Sequence, residues 1–288
     1  MVGYSRQLKC VSANIQSIFN KKQEIELYAK ENNVDILIFT ESFITESHSV
    51  SEYLIDGLQP PVVCMKNRGG ACGFIRNDII FSEVCVPNPT EDSIWFSIKT
   101  EDNVNRLYGC VYRSPNSSSE NNSKLCENVS WASEKFSEII LLGDYNFPSI
   151  KWLASECNDQ EGQIFLDTLE SHGFQQLVAE STRYRHGQTP SLLDLIISNT
   201  PNVIENVKIG DPFGKSDHCR IEFDVRNIYS EERPKPYKYN LKKIDKVKFM
   251  ESVNRNDWEL LLTQNYLDKV YDDFVVNINA ATNESRYP

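Results

Sequence analysis

Apolar residues along this chain gather mostly into short runs, and only a few segments carry a helical stripe. Leu8–Asn14 reads as a strand ending in a polar residue. Asp35-Ile36-Leu37-Ile38-Phe39-Thr40 reads as a buried strand that delivers Glu41. Between them, Lys21–Asn32 sets Ile25, Leu27, Tyr28 and Ala29 among charges, the pattern of an amphipathic helix. Val62–Met65 and Gly73–Ile75 flank Arg68-Gly69-Gly70, a hairpin signal. Ile94–Ile98 and Leu107–Tyr112 are further strands, separated by the turn residues Thr100-Glu101-Asp102-Asn103. Ser114–Asn122 is rich in Ser and Asn and reads as loop. Asn128–Phe136 reads as helix, and Ile139–Leu142 as strand. Glu161–His172 is a helix stopped by Gly173. Leu192–Ser198, Glu205–Ile209 and Cys219–Val225 are late strands.

Many strands with few helices between them, in two similar halves, predict an α+β chain. The expected architecture is a four-layer α/β/β/α sandwich of two packed mixed sheets flanked by helices, rather than a doubly wound parallel sheet. After Val225 the texture changes. Arg233-Pro234-Lys235-Pro236-Tyr237-Lys238 reads as an extended basic linker, followed by helical patterns over about 242–262 and 266–280. The expected division is therefore 1–228 for the main domain and 229–288 for the linker and helical tail.

Composition narrows the class. The 288 residues are 40% hydrophobic and 25% charged, as in ordinary globular chains. No window reaches the roughly 18–20 consecutive apolar residues of a membrane span. Met1-Val2-Gly3-Tyr4-Ser5-Arg6 lacks the apolar core of a secretion signal, so an intracellular location is expected. The eight cysteines are scattered and form no C-x-x-C pair. They read as reduced thiols, several of them (Cys64, Cys85, Cys110) in apolar strand-like runs. Net charge is −11, which argues against binding nucleic acid by charge alone. The charge is uneven: residues 1–225 hold 19 basic and 31 acidic groups, whereas 233–248 hold seven basic and one acidic. An acidic body can still act on a polyanion where a divalent cation screens the site and the contact surface is locally basic.

Candidate chemistry collects at strand ends: Asn14, Glu41, Tyr112, Asp144, Asn146, Asp194, Asp217 and His218. Gly143-Asp144-Tyr145-Asn146 follows the apolar run 139–142, and Ser216-Asp217-His218 precedes the alternating Ile221, Phe223 and Val225. Taken singly, Asp144 reads as a turn residue, Asn14 as a turn cap and Tyr112 as half-buried packing. Asp194 differs, because a carboxylate inside Leu192-Leu193-Asp194-Leu195-Ile196 is seldom buried without a partner. Convergence of such groups on one edge is what metal-assisted cleavage of a phosphate ester requires.

Seven motifs in one order carry a resemblance: Asn14-Ile15-Gln16, Thr40-Glu41, Tyr112-Arg113-Ser114-Pro115, Gly143-Asp144-Tyr145-Asn146, Thr182-Arg183, Leu193-Asp194-Leu195-Ile196 and Ser216-Asp217-His218. Over roughly residues 8–225 the chain resembles the endonuclease/exonuclease/phosphatase superfamily, whose fold is DNase-like. Through 146–152 and 212–218 it is most similar to the apurinic-like endonuclease of non-LTR (LINE-type) retrotransposons. The resemblance implies a Mg²⁺-dependent DNA endonuclease, with Mn²⁺ as a substitute ion, that nicks one strand and leaves a 3′-hydroxyl. It makes DNA the partner, with nuclear access, and makes the basic linker and Asp257-Trp258 the approach to a reverse transcriptase that this chain lacks. The chain then reads as a fragment or a stand-alone remnant.

The implied roles suit the residue chemistry. Glu41 offers the carboxylate oxygen a hard cation prefers, and Asn14 a neutral oxygen that orients its shell. His218 donates to the phosphate, and Asp194 fixes its tautomer. Asp144 activates the attacking water and Asn146 aligns it. Tyr112 hydrogen-bonds a phosphate oxygen. Asp217 serves as a metal or supporting carboxylate, Thr182 and Ser216 hold neighbouring groups, and Arg183-Tyr184-Arg185 reads as either a DNA contact or a solvated loop. His48, His172 and His186 read as solvated loop or helix-end residues. Gln16 is an amide where the repair-enzyme branch often has an acid, which argues against a second tight metal. Two alternatives stand beside this reading. One is another phosphodiesterase or phosphatase of the superfamily, disfavoured for the inositol branch because Leu193-Asp194-Leu195-Ile196 replaces a Trp-x-Asp-Arg-like segment. The other is an inactive nucleic-acid-binding remnant.

Overall fold

A computed structural model of the chain describes residues 7–100, 103–226, 245–255 and 277–278. The first half runs β1 (Leu8–Asn14), α1 (Lys22–Asn32), β2 (Ile36–Thr40), α2 (Val50–Tyr53), β3 (Val62–Cys64), β4 (Ala71–Ile75), β5 (Phe81–Glu83) and β6 (Ser93–Lys99). There follow β7 (Asn105–Tyr112), α3 (Ser119–Lys135), β8 (Glu138–Asp144), β9 (Ile150–Lys151), β10 (Glu156–Cys157) and α4 (Gln160–Ser171). The series closes with β11 (Gln175–Gln176), β12 (Asp194–Ser198), β13 (Ile204–Gly210), β14 (Arg220–Val225) and α5 (Lys246–Asn254). The chain divides into two compact units, residues 1–232 and 233–288.

Two six-stranded sheets carry the first unit, in the orders β13-β14-β1-β2-β4-β3 and β11-β12-β8-β7-β6-β5. Each contains one parallel pair, β1 with β2 and β7 with β8, and each pair is bridged by a helix, α1 or α3. All other pairings between neighbours are antiparallel. The period-2 alternation of strand side chains then builds three separate apolar layers. Leu8 and Cys10 of β1, Tyr108 and Cys110 of β7, and Ile140 and Leu142 of β8 meet between the sheets. Val11 and Ala13 pack with Ile25 and Ala29 of α1. Ile139 and Leu141 pack with Leu125 and Val129 of α3 and Phe165 of α4. This is the expected helix–sheet–sheet–helix sandwich.

The alternation also aims the chemistry. Asn14, Tyr112 and Asp144 continue the inter-sheet rows of β1, β7 and β8, as Asp194 does for Ile196 of β12. Polar groups at these ends therefore crown the inter-sheet core at one edge. Register fixes them as neighbours: Asp144 lies beside Tyr112 in the parallel pair and beside Asp194 in the antiparallel one.

Some elements depart from the sequence reading. The loop read over 114–122 ends at Ser118, and the helix begins nine residues before Asn128. Ser and Asn side chains compete with the backbone for hydrogen bonds, which makes such segments look irregular. Here Ser118 instead caps the helix, its Oγ accepting the N–H of Asn121 at 3.1 Å, and Asn122 and Asn128 are buried. Ser118→Ala is expected to cost about 1 kcal/mol, read as a shifted midpoint in chemical denaturation with an unchanged slope. Cys85 lies beyond β5 and is exposed, whereas Cys10, Cys72 and Cys110 are buried free thiols. In the second unit, α5 is capped by Asp245, whose Oδ1 accepts the N–H groups of Val247 and Lys248. Residues 233–244, most of the two helical patterns and Asp257-Trp258 lie outside the described residues. Among the described residues no helix is long and apolar enough to cross a membrane.

Candidate active site

Asn14 is the knot between the sheets. It is fully buried at the end of β1, and its amide nitrogen donates to Glu41 Oε1 at 2.7 Å and to Asp144 Oδ2 at 3.0 Å. Its side-chain oxygen accepts the N–H of Gln16, and its carbonyl accepts Ser216 Oγ–H at 2.8 Å. Past the strand ends the backbone turns left-handed at Gln16, Ser17, Glu41, Phe43 and Asn146, with φ between 43° and 83°. Such conformations are uncommon for residues with a Cβ and cluster where side chains are aimed for function.

The second construction centres on His218. Ser216 Oγ accepts its N–H at 3.2 Å, and Asp194 Oδ2 lies 2.7 Å from its Nδ1. The same Asp194 oxygen accepts Thr182 Oγ–H at 2.8 Å, while Thr182 Oγ accepts the backbone N–H groups of Leu193 and Asp194. Asp194 is 1% exposed and its Oδ1 has no hydrogen-bond partner among the described residues. With Nδ1 engaged, His218 presents Nε2 to the cleft, 4.0 Å from Asp144 Oδ2 and 3.9 Å from Asp217 Oδ1.

Electrostatics follow from this crowding. Burial opposes the imidazolium of His218, but the carboxylates of Asp194, Asp144 and Asp217 outweigh it and raise the pKa to about 9. Burial and then the Asp194 charge hold Asp144 well above the usual carboxylate range, against the pull of His218 and Asn14. Burial, Glu41 and Asp144 push the Tyr112 phenol up, and it hydrogen-bonds Glu41, so it remains a donor at neutral pH. Burial alone would raise Asp217, yet His218, Arg183 and the Gln16 bond hold it below its ordinary value.

Both Asp217 oxygens are taken by protein donors, Gln16 Nε2 at 2.7 Å and Arg183 Nε at 3.0 Å. Of the two roles the sequence allowed, this geometry suits the supporting one. The cleft, about 320 Å³, is lined by Glu41, Tyr112, Asp144, Asn146, Asp217 and His218, together with Gln16, Pro115, Arg183, Arg185 and Lys215. Asn14, Thr182, Asp194 and Ser216 stand behind these groups and fix them. All eleven candidate residues thus converge. The sequence reading missed Lys215 on the rim and the buried Arg113–Asn122 pair under Asn146. Nothing in a sequence marks an arginine as buried. His48 is half-buried rather than solvated: it stacks on Phe19 at 4.1 Å. His172 bonds Ser130 at 3.1 Å and His186 is exposed.

The donor set suits a hard divalent cation, being rich in carboxylate oxygen at a buried edge. Ligand atoms of Asp144, Asp194 and His218 lie within 4.8 Å of one another, close enough to share an ion. Within that trio Asp194 Oδ2 already serves His218 and Thr182, whereas Glu41 meets the cleft directly.

Residues 107–222 match the family model described as endonuclease-reverse transcriptase. Among solved structures, the endonuclease domain of TRAS1, a telomere-specific non-LTR retrotransposon, is 18% identical with a TM-score of 0.61, the match covering 77% of this chain and 99% of that one. An AP endonuclease from Leishmania major is 12% identical with a TM-score of 0.62, covering 77% and 88%. A 3′ phosphatase from Neisseria, bound to a product DNA hairpin, is 16% identical with a TM-score of 0.57, covering 76% and 99%. No curated protein matches the sequence. In fold and in family model, the chain resembles the endonuclease/exonuclease/phosphatase superfamily, as its motifs imply.

Proposed function

We propose that this chain is a Mg²⁺-dependent phosphodiesterase that nicks one strand of DNA and leaves a 3′-hydroxyl. The observation that carries the reading is the pairing of Asp194 with His218 directly across the cleft from Asp144, with Asn14 tying Asp144 to Glu41. Glu41 would hold the ion, with Asn14 fixing its carboxylate. Bound there, a divalent cation would neutralise charge building on the phosphate.

The chain's own groups supply the rest. His218 presents Nε2–H to a non-bridging phosphate oxygen, kept charged by Asp194. Asp144, whose proton affinity burial has raised toward neutrality, takes a proton from the attacking water. Asn146 and Tyr112, both on the cleft wall, orient that water and a phosphate oxygen. The basic rim of Arg183, Arg185 and Lys215 gives a polyanion a landing site on an otherwise acidic body. A 3′-hydroxyl product would prime a reverse transcriptase such as the one named in the matching family model, and the basic tail would lead toward it.

Purified protein is expected to relax supercoiled plasmid in Mg²⁺ and to stop in EDTA. Glu41→Gln should slow relaxation roughly 100-fold or more, and a polymerase should extend the nicks. Well-folded protein that leaves plasmid supercoiled would overturn the assignment. Turnover of a phosphomonoester alone would then favour a phosphatase, and DNA retention without turnover a binding role.

A further inference from the structure

Arg113 follows Tyr112 on the chain but points away from the cleft, into the protein. It is 8% exposed, and its bonds go to neutral oxygens: Nε donates to Asn122 Oδ1 at 2.8 Å and Nη1 to the carbonyl of Asn146 at 2.7 Å. Its guanidinium lies 3.9 Å from the centre of the Phe147 ring, which itself stacks on Phe165 of α4 at 5.0 Å. Its backbone N–H donates to the carbonyl of Asp144 at 2.8 Å. One residue thus grips the turn 144–147 at three points. A planar fork with stacking faces can make such a grip, and an ammonium cannot reproduce all of it.

What it grips needs holding. Asn146 sits at φ 47°, outside the regions residues with a Cβ favour. That backbone sends the side chain to the cleft wall and turns the Asn146 N–H toward Asp144 Oδ1 at 3.2 Å. Asn122 anchors the fork from behind, with Nδ2 donating to Glu161 Oε2 at 3.1 Å. The chain of contacts runs from α4 through α3 to the turn that carries Asn146, whose left-handed backbone costs free energy even for asparagine, the residue with a Cβ that tolerates it best.

We infer that Arg113 is a positioning residue for the phosphodiesterase site: it acts through Asn146, holding it in its left-handed conformation, and touches no substrate. The inference rests on the proposed nicking activity for its kinetic readout but has a second readout that does not.

The experiment compares Arg113→Lys, Asn146→Ala and the double variant. Arg113→Lys is expected to lower kcat about 10-fold with KM unchanged, since the landing surface for DNA is intact. In the Asn146→Ala background the same change should add less than about a further 3-fold, because the group it positions is gone. Amide hydrogen exchange should quicken at residues 145–147 in Arg113→Lys and stay unchanged in β1. Should Arg113→Lys fail to fold, Asn122→Ala frees the fork without removing it and should give the same local exchange. Independent, multiplying losses, a rise in KM alone, or exchange unchanged at 145–147 would each overturn the inference. Wild-type protein that does not nick DNA would overturn the nuclease reading instead, and exchange would still decide the role of Arg113.

Discussion

His218→Ala is expected to slow plasmid nicking by roughly 10²–10⁴-fold, the range for loss of a positioned proton donor. The argument is positional. His218 is held by Ser216 on its backbone and Asp194 on Nδ1, so Nε2 has one place to face, the cleft. Asp194→Asn is the sharper companion. Thr182 and His218 both bond to the same Asp194 oxygen, so an amide oxygen there keeps both bonds while the charge goes and an NH2 group replaces the unpartnered Oδ1. Asp194 is the leading group raising His218 to about 9. Removing its charge lowers that pKa, so the alkaline fall in nicking rate moves from near pH 9 toward neutrality. A rate unaffected by His218→Ala, or an alkaline limb that stays put in Asp194→Asn, would remove His218 from the mechanism.

Gly143→Ala is expected to be the most damaging single substitution to the fold. Gly143 lies in β8 at φ 121°, and a Cβ there would stand 2.2 Å from the carbonyl oxygen of Val111, its register partner in β7. Backbone of a central parallel strand cannot step aside as a side-chain tip can. Strained φ and overpacking each cost about 1–3 kcal/mol, and together they take a large part of a typical 5–15 kcal/mol stability. Loss of soluble protein, or a denaturation midpoint sharply lowered, is the expected result. A variant that unfolds like the parent would mean that β7 and β8 are not paired as described. Gly143 immediately precedes Asp144, the last residue of β8, so the fold and the site meet at this position.

Much of this was legible in the order of residues, for a physical reason. Strand side chains alternate, so Asn14 continues the row of Cys10, and Asp144 the row of Leu142, without knowledge of the fold. Asp194 within an apolar run announces a buried, partnered carboxylate, and it has its partners in His218 and Thr182. What could not be read is what depends on distance across the sandwich. Asn14 bridging Glu41 and Asp144 is a contact between sheets. The occupation of both Asp217 oxygens by Gln16 and Arg183 joins residues some two hundred apart in sequence for one bond and thirty-four for the other. Ser118 misled because one serine can cap a helix or interrupt it, and only the following backbone decides. Arg113 was hidden because arginine is usually exposed, and its burial depends on Asn122 and Phe147 arriving from other elements.

The pairing of β1 with β14 has a consequence for biosynthesis. Synthesis makes β1 before every other strand of its sheet, yet one of its two neighbours, β14, is the last strand of that sheet in chain order. Asn14 likewise waits for Ser216 and Asp144 before it is held. Such distant closures are slow to form, and a growing chain cannot form them early. Shortened products that stop before Ser216 would carry Glu41, Tyr112, Asp144 and Asp194 but neither His218 nor the antiparallel neighbour of β1. On the proposed mechanism, the proton donor of the site is missing until that late segment has been made.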